Sequence, residues 1–330
     1  MVMGGQTWGH NWHQLRLALF MVWALRAICQ ADRQAENFLH RGIEVLDWDA
    51  RLFQVPHFLS DAEADEMLDL GHGALTEKFG DEWFDKHAYS TVFFTDKDYA
   101  RSSVLRAFEE RVARLTMVKP HPQEPPTMFT RQIPGTAAGS LLPGQVLRNV
   151  HHDKNARENR VVTVLVYLSS ARDGDGGHTL FPCLPARRNG STPMSKRKDA
   201  MVANQMARDF QRLFDNGTRV IDDKIAPGMT ASKAAEIDLL RRANEQCQMA
   251  QRSQVLSVRP TKGTAVVFWS TEVDGHPNHK VWHSACQALA GQHRYAIQKF
   301  KELPRVSGEW VLSPGQAKPH WLPRHISDEL

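Results

Sequence analysis

The chain has 330 residues, a formal net charge of +4 and four cysteines. This length corresponds to one large or two ordinary domains with a sizeable buried core. The positive charge is too small to indicate nucleic-acid binding. The cysteines include no CxxC pair, so the sequence lacks the ligand spacing of a structural zinc site.

The first 31 residues have the pattern of a secretory signal peptide. Basic side chains precede a short apolar stretch, 17–25, and small residues favour cleavage after Ala31. Because the stretch is short for a membrane span and Arg26 interrupts it, an uncleaved signal-anchor on a membrane is the alternative. Cleavage would remove Cys29, and the three remaining cysteines allow one disulfide with a free thiol or no disulfide.

Two other features agree with secretion. N-glycosylation sequons begin at Asn189 and Asn216, and such sites are modified on exposed loops of secreted chains. The chain ends in Ser327-Asp328-Glu329-Leu330, a variant of the KDEL-type retrieval signal. We therefore predict a glycoprotein of the endoplasmic-reticulum lumen, in which residues 303–330 form a peripheral tail.

Residues 32–126 are predicted to form helices and strands that precede the functional site. Ser60 and Glu63 have the spacing of a capping box, and an amphipathic helix over 61–70 follows them. A second helix is predicted over 99–116, where apolar residues recur at helical spacing. We interpret both apolar faces as core.

A candidate metal site begins with the pair His151 and Asp153, ahead of an apolar run over 161–168 that predicts a buried strand. On an extended backbone the two side chains point to the same side, and His152 points away. His283, far downstream, can supply a third ligand. Two histidines and one carboxylate on one face of a metal are typical of non-haem Fe(II) oxygenases. The pair alone could also be a surface turn.

Residues 184–254 contain a basic stretch and two predicted helices, about 198–214 and 230–252. The apolar residues at helical spacing are Val202, Met206, Phe210 and Leu213 in the first helix, and Ala234, Ile237, Leu240 and Cys247 in the second. Both sequons lie in residues 184–254, which is typical of a segment exposed to solvent. The segment is either a helical hairpin packed outside the core or a lid or surface for a protein partner.

Four motifs follow one another along the chain. They are Asn159-Arg160-Val161-Val162-Thr163, then Gly176-Gly177-His178-Thr179-Leu180-Phe181-Pro182, then Pro260 to Trp269, and finally His283-Ser284-Ala285-Cys286. This order resembles the catalytic domain of the prolyl 4-hydroxylases, over about 43–301 apart from the 184–254 segment. The resemblance implies an α+β fold with a double-stranded β-helix (jelly-roll) core, backed by N-terminal helices and carrying a helical insertion. The two halves of this core would be 127–183 and 255–302.

The same resemblance implies an enzyme like procollagen-proline 4-dioxygenase. Such an enzyme uses Fe(II), O2 and 2-oxoglutarate to hydroxylate peptidyl proline and releases succinate and CO2. L-ascorbate (vitamin C) is implied as a reductant of the iron, and a proline-containing polypeptide as the substrate. One alternative is a 2-oxoglutarate dioxygenase that acts on another peptidyl residue, such as lysine. The other is a catalytically weak protein that binds Pro-rich chains.

Further site residues follow from the resemblance. Arg294 would hold the distal carboxylate of 2-oxoglutarate, with His293 as the alternative, and Thr179 would line the same pocket. Arg294 is preferred because an arginine can bind a carboxylate through two parallel hydrogen bonds. Arg160 matches an arginine that contacts the peptide, although an ion pair is an equal explanation. The chain lacks the family's tyrosine about nine residues before His151, which puts one hydrogen bond to the cosubstrate in doubt.

Overall fold

The computed structural model describes residues 42–80, 89–134, 147–155, 159–187, 193–215, 231–248, 253–288 and 293–304. The chain divides into two compact units, Met1–Ile43 and Glu44–Leu330, and the described residues belong almost entirely to the second. The predicted signal segment, both sequon asparagines and the terminal tetrapeptide lie outside the described residues. In the described part of the chain, no helix is long and apolar enough to cross a membrane.

The described strands pair antiparallel in two sheets. They are β1 (Glu44–Asp47), β2 (Leu52–Val55), β3 (Tyr89–Phe93), β4 (Met128–Gln132), β5 (Leu147–His151), β6 (Arg160–Tyr167), β7 (Thr179–Pro185), β8 (Val255–Val258), β9 (Ala265–Trp269), β10 (His283–Cys286) and β11 (Arg294–Glu302). The larger sheet has the order β1-β2-β9-β6-β11-β4-β3, and the smaller has the order β5-β10-β7-β8. The fold is therefore a mixed helix and strand fold with antiparallel sheets.

Strand β6 lies at the centre of the larger sheet, between β9 and β11. All eight of its residues are buried, as expected for a strand that is covered on both faces. The continuous apolar run over 161–168 predicted such a strand, and the structure confirms it. This central position keeps the residues that precede and follow β6 at fixed places in the fold.

Three helices precede β4 within the described residues: α1 (Asp61–Phe79), α2 (Asp96–Arg101) and α3 (Ser103–Thr116). The predicted capping box is present, because the Glu63 carboxylate accepts from the Ser60 N–H at 2.8 Å and the Ser60 hydroxyl accepts from the Glu63 N–H at 3.3 Å. The prediction of one helix over 99–116 is wrong. Ser102 interrupts it with an extended backbone, and its hydroxyl accepts from the Leu105 N–H to start α3.

Helix α1 approaches the larger sheet closely at Gly71. A Cβ at this position would lie 2.2 Å from Cδ2 of Phe129, a buried side chain of β4. We expect Gly71→Ala to lower the free energy of unfolding by ~1–3 kcal/mol, because helix and ring must move apart. Urea denaturation would measure this. Gly73→Ala is the matched control, since its Cβ would meet only the Arg101 guanidinium at 3.8 Å, and equal stability of the two variants would contradict the prediction.

In the described part of the segment between β7 and β8 there are two longer helices, α4 (Pro193–Asp215) and α5 (Ala231–Gln248). Their buried residues share one core cluster with residues of the smaller sheet and with Trp282, whose ring stacks on Phe210 at 4.9 Å. The predicted buried face of the first helix is confirmed, with Val202 half-buried. In the second helix Ala234 is exposed, and Leu239 and Ala243 take its place in the core. The prediction is confirmed for Leu240 and Cys247, which are buried, and Ile237 is half-buried.

A disulfide joins this helical pair to the smaller sheet. Cys247 on α5 is bonded to Cys286 at the end of β10. Cys183 is a buried free thiol, and burial raises its pKa well above the usual value. Of the two alternatives that the sequence allowed, the structure has one disulfide with a free thiol. The bond ties α5 to the strand that begins with His283.

Candidate active site

Neighbouring strands of the smaller sheet bring together the three residues of the predicted metal site. His283 on β10 is the register partner of His151 on β5, and their ring centroids lie 4.4 Å apart. Asp153 begins a short 3-10 turn directly after β5. Its carboxylate oxygens lie 3.5 Å from Nε2 of His151 and 3.8 Å from Nε2 of His283. One donor atom from each side chain lies within 4.8 Å of the others.

Surrounding groups hold two of these side chains in place. Nδ1 of His283 lies 3.0 Å from the carbonyl oxygen of Val281, which leaves Nε2 directed at Asp153. The Thr163 hydroxyl on β6 donates to the Asp153 carboxylate at 2.5 Å. Hydrogen bonds of this kind orient the ligands of protein metal sites. His152 is turned away, with Nε2 2.9 Å from the carbonyl oxygen of Asn278, as the alternation of side chains predicted.

The electrostatics favour a neutral imidazole beside an anionic carboxylate. Burial lowers the pKa of His283 to about 4, although the nearby Asp153 carboxylate opposes this. Its ring is therefore unprotonated at neutral pH and has a lone pair to offer a cation. Burial by itself would raise the pKa of Asp153, but the two imidazoles and the Arg160 guanidinium hold it well below its usual value. This donor set suits a divalent transition metal.

A cavity of about 290 Å³ opens beside the cluster, and His151 and His283 form part of its wall. The side chain of His151 is 38% exposed, whereas that of Asp153 is 2% exposed. The cluster is thus open on one side. Leu165 and Phe268 add apolar wall, so the cavity has the character of a site for a small organic ligand.

The same cavity also has a polar part that contains Arg294 and Thr179. One terminal nitrogen of Arg294 donates to the Thr179 hydroxyl at 3.0 Å, and that hydroxyl also lies 2.6 Å from the Tyr167 hydroxyl. Arg294 is 6% exposed, yet no described residue accepts from its Nε. His293 lies outside this cavity, with Nδ1 2.9 Å from the Tyr295 hydroxyl. Of the two alternatives, Arg294 has the geometry for an anion in the cavity.

Arg160, the predicted peptide contact, is tied to the end of β11. Its Nε lies 3.4 Å from the Glu302 carboxylate, and its guanidinium carbon lies 3.8 Å from the centroid of the Phe300 ring. The side chain is 11% exposed. The structure therefore places Arg160 in a buried ion pair, and its role in substrate binding stays a prediction.

Gln132, at the end of β4, is a cavity residue that the sequence reasoning missed. It is the register partner of Arg294, and both side chains line the cavity. Gln132 is 2% exposed, and within the described part of the chain neither its Nε2 nor its Oε1 has a hydrogen-bond partner. No local pattern distinguishes this glutamine from a surface residue. Only the strand pairing with Arg294 reveals its position.

Comparison with known proteins agrees with this geometry. The sequence model of the 2OG-Fe(II) oxygenase superfamily matches residues 143–301, the segment that contains the three clustered residues and Arg294. This segment belongs to the 2OG-Fe(II) oxygenase superfamily. The resemblance to the prolyl 4-hydroxylases, predicted from the order of the motifs, is confirmed. For this oxygenase superfamily, Fe(II) and 2-oxoglutarate are the implied cofactor and cosubstrate.

Individual relatives are distant. Prolyl 4-hydroxylase 1 of Arabidopsis thaliana is 38% identical over 47 residues, which is 14% of this chain and 17% of that protein. The viral collagen prolyl hydroxylase of Paramecium Bursaria Chlorella virus-1 is 14% identical, with a TM-score of 0.40 over 76% of this chain and 94% of its own. A Pseudomonas putida prolyl-4-hydroxylase is 12% identical, with a TM-score of 0.38 over 77% and 94%. At these TM-scores neither structure informs the activity or the substrate of this chain.

Proposed function

We propose that this protein is a prolyl 4-hydroxylase-like dioxygenase, which uses Fe(II), O2 and 2-oxoglutarate to hydroxylate peptidyl proline and releases succinate and CO2. The observation that carries the proposal is one cavity with two chemically different parts. One part presents the two imidazoles and borders the carboxylate of Asp153, and the other presents Arg294 and Thr179. A molecule that chelates a metal and carries a second carboxylate fits both parts.

His151, Asp153 and His283 would hold the iron. Their donor atoms are two neutral nitrogens and one carboxylate oxygen, which suits Fe(II) and leaves coordination positions open on the cavity side. When bound, the iron supplies the oxidative chemistry that side chains lack. The protein keeps Asp153 oriented through the Thr163 hydroxyl and the His283 ring oriented through the Val281 carbonyl.

Arg294 would bind the distal carboxylate of 2-oxoglutarate. Its guanidinium is fixed by Thr179 and lies near the Tyr167 ring, with its carbon 5.5 Å from the ring centroid. Nε remains available to the ligand, so two parallel hydrogen bonds to a carboxylate are feasible. The apolar side chains of Leu165 and Phe268, which line the same cavity, would exclude water from the reacting groups.

The sheets support a finer description of the fold. We propose that the two antiparallel sheets form the double-stranded β-helix (jelly-roll) of this family, with its halves in residues 127–183 and 255–302. Residues 184–254 would then be a helical insertion, whose two helices pack on the smaller sheet. The position of these helices favours an outer hairpin, and its exposed side remains a proposed surface for a protein partner.

The proposed compartment is the lumen of the endoplasmic reticulum. The signal-like segment, the sequons at Asn189 and Asn216 and the terminal tetrapeptide support it. The disulfide between Cys247 and Cys286 adds support, because such bonds persist in oxidising compartments. L-ascorbate is proposed as the reductant of the iron, and a proline-containing polypeptide as the substrate.

Turnover across a peptide panel tests the proposed function. Purified protein with Fe(II), 2-oxoglutarate and O2 is mixed with collagen-like, other Pro-rich and lysine-containing peptides. Succinate release and peptide mass are then measured. We expect Pro-rich peptides to stimulate succinate release and to gain one oxygen atom on proline.

The same panel separates the alternatives. Oxygen on lysine, with proline unmodified, would favour a dioxygenase that acts on peptidyl lysine and would contradict the proposed substrate. Peptide binding without succinate release would favour a Pro-rich-chain binding protein. Lack of both binding and turnover with every peptide would contradict a polypeptide substrate.

A further inference from the structure

We propose that Gln132 binds the distal carboxylate of the 2-oxo acid beside Arg294 and so determines the preference for a dicarboxylic cosubstrate. The inference rests on the proposed function, because it assumes that a 2-oxo acid occupies the cavity. It adds a residue that neither the motifs nor the resemblance indicates.

The side-chain amide of Gln132 is buried without hydrogen bonds to the described residues. Its side chain is 2% exposed, and both polar atoms lack a hydrogen-bond partner among the described residues. A buried amide in this state destabilises a fold, and native proteins contain few such groups. The NH2 group of an amide that faces a cavity can donate to an acceptor on a ligand.

The position of Gln132 indicates which part of the ligand its side chain contacts. Gln132 and Arg294 are register partners on β4 and β11, so their Cβ atoms lie ~4.5–5.5 Å apart on one face of the sheet. Both line the cavity, and Nε of Arg294 also lacks a partner in the described part of the chain. The unpaired donors of the two side chains therefore converge on the carboxylate-binding part of the cavity.

One arrangement uses both unpaired donors. Nε2 of Gln132 and Nε–H of Arg294 each donate to the ligand carboxylate. The carboxylate then receives hydrogen bonds from both side chains. The chain lacks the tyrosine that the resemblance expects to donate to the cosubstrate, and the Gln132 amide supplies a donor of the same kind.

Ligand binding to the Mn(II)-loaded protein tests this role without turnover. Two ligands are titrated by calorimetry: 2-oxoglutarate, and 2-oxopentanoate, which has the same chain without the distal carboxylate. We expect Gln132→Leu to weaken 2-oxoglutarate binding about tenfold or more, as for a lost hydrogen bond to a charged group. Binding of 2-oxopentanoate and of Mn(II) should not change. Gln211→Leu, on the exposed side of α4, is the control and should bind like the wild type.

A second variant and a second readout separate ligand binding from packing. Gln132→Glu places a negative charge beside the ligand carboxylate and should weaken 2-oxoglutarate binding more than Gln132→Leu does. Without ligand, Gln132→Leu should melt at the same temperature as the wild type or higher, because it removes an unpaired buried amide. Its Tm should rise less than that of the wild type when 2-oxoglutarate is added.

Each outcome decides the proposal. Unchanged 2-oxoglutarate binding by both variants would reject the role of Gln132 while leaving the proposed function intact. An equal loss for both ligands would show that Gln132 supports the cavity generally, and would also reject its role. A wild type that binds Mn(II) but not 2-oxoglutarate would overturn the proposed function and this inference together.

Discussion

Replacing Asp153 with alanine is expected to weaken divalent metal binding by on the order of 100-fold or more. Asp153 supplies the one anionic donor of the cluster, and its carboxylate lies within 4 Å of both imidazoles. Changes to groups that merely orient a ligand already weaken metal sites by about 10- to 100-fold, so removal of the ligand itself should have a larger effect. Anaerobic Fe(II) titration, or Co(II) titration followed by absorbance, measures this directly.

Two comparisons make the result specific to the metal. Asp238→Ala removes an exposed carboxylate on α5 that pairs with Arg241, and it should bind metal like the wild type. Asp153→Asn keeps the shape of the side chain and an acceptor for the Thr163 hydroxyl, but it removes the charge. We expect this variant to bind metal poorly as well. Metal affinity within a few-fold of the wild type for Asp153→Ala would remove this residue from the proposed site.

The second large effect is expected at Lys299, which is fully buried on β11. Its Nζ lies 3.0 Å from the Glu109 carboxylate, 3.3 Å from the Glu124 carboxylate and 2.9 Å from the carbonyl oxygen of Pro125. Burial opposes the charged form, but the two carboxylates outweigh it and raise the pKa of Lys299. Lysine and carboxylates therefore form a buried charged cluster that joins α3 and the 121–127 segment to β11.

We expect Lys299→Met to lower the free energy of unfolding by about 3–5 kcal/mol, because it leaves the buried Glu109 carboxylate without its cation, whereas Glu124 keeps Lys301 at 2.8 Å. This is a large fraction of the ~5–15 kcal/mol that stabilises a typical domain. Chemical denaturation followed by circular dichroism measures the change. Strand β11 also begins with Arg294, so binding of 2-oxoglutarate should weaken in the same variant.

The matched control is Lys97→Met. Lys97 also pairs with a glutamate, Glu77, at 3.0 Å, but both side chains are more than half exposed, so the loss should stay below about 1 kcal/mol. The double variant Lys299→Met with Glu109→Gln also removes the carboxylate that Lys299→Met leaves unpaired, and it should recover part of the stability. A loss for Lys299→Met no larger than that for Lys97→Met would show that the buried cluster contributes little.

Local sequence determined the individual elements of this protein. The apolar run over 161–168 predicted a strand buried on both faces because its side chains leave no polar face for water. Ser60 and Glu63 predicted the start of α1 because a capping box involves residues only three apart. The order of motifs predicted the oxygenase segment, and with it the candidates His151, Asp153 and His283.

The elements that sequence reasoning misplaced depend on packing. The helix predicted over 99–116 is broken at Ser102, whose hydroxyl forms a cap that the apolar spacing did not reveal. In α5 the buried face turned out to contain Leu239 and Ala243 rather than Ala234. Helical spacing allows several neighbouring faces, and contact with the smaller sheet selects one of them.

Only the tertiary structure decided which distant residues meet. It paired Cys247 with Cys286, joined Arg160 to Glu302, and placed Arg294 rather than His293 in the cavity. It also brought Gln132 beside Arg294, although six of the eleven described strands lie between them in sequence. Such contacts depend on strand register, since a shift of one residue turns every side chain to the opposite face. Local sequence therefore specifies the elements and the candidate ligands, and strand pairing specifies the site that they form.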